Sequence, residues 1–189
     1  MTQRKYLLAS EVEAMINAVP QGLNYHRDRC LIMMCYFHGL RASELCHLKL
    51  SDIQDEYIYI SRLKSGLSTT HPLQKCELEA LALWLEKRQG WLNNDTPWLF
   101  LSQHGNPLSR QQFYELIKKY GIAAKLNVKA HPHMLRHACG YSLADKGKDT
   151  RLIQDYLGHR NIQHTVLYTA TNMARFNSIT FDVEQQAAL

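Results

Sequence analysis

The segment from Tyr25 to His38 constrains the fold more than any other. Cys30, Leu31, Ile32, Met33, Met34, Cys35, Tyr36 and Phe37 follow one another with no polar stripe between them. A helix that is apolar on nearly all sides has to be buried. The run falls short of the ~20 residues that a membrane span needs, so its place is a protein core. Gly39 ends it. A chain of 189 residues fits one domain, or one domain with a short arm.

Other elements arrange themselves around this helix. Ser10-Glu11-Val12-Glu13 reads as a capping box that opens a helix running to about Ala18, broken by Pro20-Gln21-Gly22. Arg41 to Leu48 starts another short helix. Tyr57 to Leu63 is rich in strand formers, Lys64-Ser65-Gly66 turns, and Leu67 to Pro72 returns as a second strand. From Gln74 to Gln89 the apolar spacing is helical. Trp91 to Pro97 is a loop, Trp98 to Leu101 a short buried stretch, and His104-Gly105-Asn106-Pro107 a turn. Ser109, with Gln112 at the capping-box position, opens a helix that reaches about Leu126. A helix from Pro132 to about Ala144, a short one capped by Thr150 and ending at Leu157-Gly158, and one from about Gln163 complete the set. The tail from about residue 173 carries Phe176, Ile179, Phe181 and Val183 and suits packing on this subunit or a neighbour. The expected fold class is mainly α with a small antiparallel β-sheet (α+β).

Charge narrows the partners. The formal net charge is +5 with ten histidines uncounted, which favours a polyanion such as nucleic acid. The helix after Ser109 carries Arg110, Gln111, Lys118, Lys119 and Lys125. It is a candidate DNA-facing surface; the competing reading is a solvated basic face. Five cysteines form no CxxC pair and read as reduced thiols in a cytoplasm. The N-terminus has neither the apolar core nor the small-residue cleavage site of a signal peptide. No membrane association is expected.

The chemistry gathers in the last third of the chain. In His131-Pro132-His133-Met134-Leu135-Arg136-His137, the residues His133 and Arg136 share one helical face, and Pro132 suits the first turn. Imidazole and guanidinium together make a phosphate clamp. Taken alone, such a pair is more often the polar face of a surface helix. His159 follows Gly158, and Tyr168 lies beyond it. Breaking a phosphodiester without a metal needs charge neutralisation, an in-line nucleophile and an acid for the leaving oxygen. Arg41 supplies a second clamp, with Glu44 to orient it. Lys64, at a hairpin turn, is the candidate acid. His133 and His159 add hydrogen bonds or shuttle protons, and Tyr168 forms the phosphotyrosyl bond. That bond conserves the energy of the broken linkage, so rejoining needs no ATP. No cofactor and no metal are expected.

These residues, in HGLRASEL, RLKSGLSTTHPL, HPHMLRH, LGHRN and HTVLYT, resemble the tyrosine recombinases of the phage-integrase family over essentially the whole chain. The resemblance implies a mainly helical catalytic domain with a small sheet carrying the lysine. Glu44 matches the acidic position that the family keeps after its first arginine. The resemblance also implies double-stranded DNA as partner, a homotetramer on two DNA sites, and 3′-phosphotyrosyl intermediates. Arg41 comes too early for the separate N-terminal core-binding domain that most members carry. The expected division is a short arm over residues 1–9 and a catalytic domain over residues 10–189. Such a short form is similar to the fimbrial-switch invertases. That likeness implies inversion of a promoter segment between inverted repeats, DNA-bending accessory proteins, and a nucleoid-associated place in a bacterial cytoplasm. Four rivals stand beside this reading: another recombinase of the integrase or excisionase type, a type IB topoisomerase, a non-catalytic DNA-binding regulator, and a metalloenzyme built on His131, His133 and His137.

Overall fold

A computed structural model describes residues 4–62, 66–170, 176 and 179. Among them the chain forms α1 (Ala9–Asn17), α2 (Tyr25–Phe37), α3 (Ala42–Cys46), β1 (Ile53–Gln54), β2 (Tyr57–Ile60), β3 (Thr69–Pro72), α4 (Lys75–Arg88), α5 (Arg110–Ala123), α6 (Pro132–Asp145), α7 (Thr150–Leu157) and α8 (Gln163–Ala170). The fold is mainly helical with one antiparallel sheet of order β1-β2-β3.

The apolar segment is the buried α2, and it packs against α1, α3, α4 and α6. Its buried polar residues, Arg27 and Asp28, are answered. Arg27 donates to Asp28 Oδ1 at 2.8 Å and to the Leu101 carbonyl at 3.0 Å, and the Tyr120 hydroxyl donates to Asp28. Gly39 stops the helix at φ +56°, a conformation that costs glycine little. The Leu40 amide reaches back to the Cys35 carbonyl at 3.1 Å and the Gly39 amide to Tyr36 at 3.3 Å, a Schellman closure. This sharp turn delivers the chain directly to Arg41.

In the sheet, Ile58 pairs with His71 and Ile60 with Thr69. Ile58 and Ile60 face the core, while Tyr57 and Tyr59 point to solvent. The expected first strand therefore ends at Ile60, and the second begins at Thr69 rather than Leu67. β1 has no counterpart in the expected elements: two residues carry no readable alternation. Lys64 and the turn assigned to it lie outside the described residues, as does the tail except for Phe176 and Ile179.

Two caps differ from expectation. The Leu8 amide donates to Glu11 Oε2 at 2.8 Å, so α1 opens from Leu8 and not from Ser10. Asp149, not Thr150, caps α7; its Oδ1 accepts from the amides of Arg151 at 2.8 Å and Leu152 at 2.9 Å. A carboxylate one residue earlier reaches both free amides, which frees the Thr150 hydroxyl to bond that of Thr169 at 2.7 Å. The box at Ser109 forms as expected, with the Gln112 amide donating to Ser109 Oγ at 3.1 Å and the Ser109 amide to Gln112 Oε1 at 2.9 Å. Its helix ends at Ala123, three residues short of Leu126. Within the segment read as an arm, Leu7 is buried and Tyr6 stacks on Tyr141 of α6 at 3.9 Å.

Candidate active site

The site is built around one buried carboxylate. Glu44 lies in the first turn of α3 and accepts from the Arg41 amide at 2.9 Å. Its Oε1 receives Arg41 Nη1 at 2.5 Å, and its Oε2 receives Arg62 Nη1 at 3.0 Å with Arg136 Nη1 at 3.9 Å. Burial alone would raise the Glu44 pKa, but Arg62, the Arg41 amide and Arg136 outweigh it and the net direction is down. The carboxylate stays ionised and holds three guanidinium groups that would otherwise repel one another. Three guanidinium groups around one carboxylate leave a surplus of positive charge at the site.

Arg136 is buried, which rules out the polar face of a surface helix. It donates to the Gly39 carbonyl and, at 2.7 Å, to the Leu157 carbonyl, so it ties α6 to the ends of α2 and α7. Burial, then Arg41 and Arg62, bring its pKa down to about 10, still high enough to keep the charge at neutral pH. One turn earlier His133 is exposed, and one residue later His137 is half-buried, their rings edge to face at 5.1 Å.

Tyr168 comes from α8 and is 1% exposed. Its ring lies flat on α6 because residue 140 is glycine: a Cβ there would fall 2.6 Å from Tyr168 Cζ. Tyr141 meets the ring edge to face at 5.1 Å. The hydroxyl meets His137 Nδ1 at 3.0 Å. Burial pushes the phenol up to about 12, with Arg136 pulling the other way. His137 is pushed down to about 4 by burial and by His133 and Arg136. His159 follows Gly158, whose φ of +65° ends α7. The His159 Nδ1 bonds Thr165 Oγ1 at 2.9 Å, and burial, then Arg136 and Arg41, bring its pKa down to about 3. Both imidazoles are therefore neutral near pH 7.

Arg41, Gly66, His133, Arg136, His159 and Tyr168 line one cleft of about 300 Å³. Five of the six sequence-predicted catalytic positions thus come together. Lys64, the sixth, is not described, but its chain neighbours bracket the cleft: Arg62 bonds Glu44, and Gly66 lines the wall. Arg110 and Gln111, with Tyr114 and His133, border an adjoining groove of about 540 Å³. His133 belongs to both, so the basic end of α5 continues the cleft surface. Lys118 and Lys119 are exposed further along α5; Lys118 lies 3.6 Å from Glu115, and Lys119 covers the Tyr120 ring at 5.5 Å. Among the described residues no group of three or more His, Cys, Asp or Glu side chains is placed to hold a metal ion.

Sequence reasoning misses two residues. Arg62 stands in a strand-like run with nothing local to mark it. It is buried and, besides Glu44, donates to the carbonyls of His38 at 3.1 Å and Tyr156 at 2.7 Å. His137 enters the sequence reading only as a metal ligand. Its place one residue after Arg136 turns it toward α8, which only the tertiary packing reveals.

The profile of the Phage integrase family matches residues 5–175. The chain belongs to the phage integrase family. Its relatives include the type 1 fimbriae regulatory proteins FimB and FimE of Escherichia coli (strain K12), each 53% identical over 179 residues. The matches cover 94% and 93% of this chain and 90% of either protein. The tyrosine recombinase XerA of Pyrococcus furiosus is 33% identical over 89% of this chain and 58% of its own length. Among solved structures, XerA recombinase superposes with a TM-score of 0.81 at 25% identity, covering all of this chain and 67% of that one. XerH site-specific recombinase, bound to a palindromic difH substrate after cleavage, superposes with a TM-score of 0.78 at 26% identity, over 97% of this chain and 52% of that one. This recombinase is therefore an enzyme that breaks and rejoins DNA strands. No described helix is long and apolar enough to cross a membrane.

Proposed function

We propose that this recombinase inverts a DNA segment between inverted repeats through a 3′-phosphotyrosyl intermediate, and that the segment is a promoter switch for fimbrial genes. The observation that carries the chemistry is the shared cleft: Tyr168 lines the same 300 Å³ as Arg41, Arg136, His133 and His159. The 53% identity to two fimbriae regulatory proteins supports the biological role.

The scissile phosphate sits between Arg41 and Arg136, which neutralise its non-bridging oxygens; Glu44 fixes both guanidinium groups. Each such donor is worth ~2.7–4 kcal/mol of transition-state stabilisation. His159, neutral and bonded at Nδ1 to Thr165, presents its other ring nitrogen as a donor. His133 adds a second hydrogen bond at the cleft mouth. Tyr168 Oη attacks phosphorus, the P–O5′ bond breaks, and Lys64 protonates the leaving oxygen. Arg110, Gln111, Lys118 and Lys119 grip the flanking duplex. Four subunits assemble on two sites, helped by DNA-bending accessory proteins, in the nucleoid of a bacterial cytoplasm.

The test is a supercoiled plasmid carrying the inverted repeats that flank the fimbrial promoter next to this gene. Purified protein should switch the segment's orientation, read by PCR across each junction. Relaxation without any orientation change would instead assign a topoisomerase. Tight binding without either product would assign a regulator.

A further inference from the structure

We propose that His137 is the base that takes the Tyr168 hydroxyl proton as the phenol attacks the phosphate, a proposal that rests on Tyr168 being the nucleophile. Among the described residues, His137 is the titratable side chain bonded to the reacting oxygen, with Nδ1 at 3.0 Å from Oη. That distance lies within the reach a general base requires. The other candidates are turned elsewhere. His159 Nδ1 is engaged with Thr165, and Arg136 is a permanent donor engaged with two carbonyls. His133 is exposed, and its ring meets that of His137 edge to face at 5.1 Å.

The pair is built so that the proton crosses during the step and not before it. In the free protein burial holds the phenol up at about 12 and His137 down at about 4, so the hydrogen stays on Oη and Nδ1 accepts it. Attack reverses that order. As Oη becomes an ester oxygen it loses its basicity, and a neutral imidazole already in contact becomes the better home for the proton. A DNA phosphate also brings negative charge against Arg136 and His133, two groups that depress His137. Atoms and protons balance: Oη–H breaks and Nδ1–H forms, Oη–P forms and P–O5′ breaks, and O5′ takes its proton from the acid. On rejoining, Nδ1 returns the proton to Oη. Gly140 and Tyr141 serve the pair by holding the Tyr168 ring against α6.

His137→Asn separates a base from a hydrogen-bond acceptor, because the amide oxygen accepts from Oη but does not take up its proton. Single-turnover adduct formation should fall by ~10²-fold or more in this variant, the ordinary contribution of a general base. DNA binding should stay unchanged. A 5′-bridging phosphorothiolate, which relieves the acid, should leave the deficit in place. In His137→Ala, added imidazole should restore part of the rate, which also guards against a folding artefact. Asn at the parent rate, full rescue by the phosphorothiolate, or no response of the Ala variant to imidazole would each overturn the proposal. A Tyr168→Phe protein that still forms an adduct would instead sink the assignment of the nucleophile.

Discussion

Glu44 decides the electrostatics of the site at the scale of single residues. It is buried at 4% exposure with Arg62 and Arg136, themselves buried, aimed at it. Removing it leaves buried positive charge without compensation, so Glu44→Ala should lose ~3–5 kcal/mol of unfolding free energy in a urea titration. The pH dependence has a definite sign. The folded Glu44 pKa is lowered, so its contribution is complete above the unfolded glutamate value of ~4.3 and is lost as pH falls through the lower folded value. Glu44→Gln should flatten that acid limb; an unchanged limb would mean other carboxylates carry it. Arg136→Ala should cut adduct formation by ~10²–10³-fold, as loss of one preorganised donor does. Arg41, Glu44, His133, Arg136, His159 and Tyr168 are legible in the chain because each stands in a short local pattern. Arg62 and His137 are not. Their partners, Tyr156 for one and Tyr168 for the other, are distant in sequence and adjacent only after folding.

At the scale of elements, glycines decide where the chemistry sits. Gly140 lies within α6, where alanine would ordinarily favour the helix by ~1 kcal/mol. Here the added Cβ meets the Tyr168 ring at 2.6 Å, so α8 has to shift. Gly140→Ala should therefore keep its helix content and its DNA binding while losing most adduct formation, measured side by side by circular dichroism, gel shift and denaturing gel. Normal cleavage would show that α8 does not need this close approach. Helix existence is readable from apolar spacing and caps, most clearly at Ser109 and Gln112. The helix start at Leu8 and the cap at Asp149 are not, because Ser10 and Thr150 are themselves favoured cap residues and backbone geometry chooses between neighbours. β1 escapes because two residues make no pattern.

For the whole molecule, a net charge of +5 and the basic end of α5 beside the cleft make DNA affinity fall with salt. Replacing Lys118 and Lys119 by alanine should reduce the slope of log affinity against log salt by up to ~0.9 for each phosphate no longer neutralised. Lys118 gives less than its full share, since it lies near Glu115. A slope that does not change would remove that half of α5 from the interface. The fold class is legible from the buried helix and the hairpin, because an apolar segment with no polar face admits few neighbours. Tyrosine-mediated cleavage is tested by a suicide-substrate assay: nicked DNA carrying the native repeats, EDTA present, products run on a denaturing gel. A covalent protein–DNA adduct should form and should vanish in Tyr168→Phe. DNA bound but never joined to the protein, or an adduct that survives that substitution, would contradict tyrosine-mediated cleavage by this site.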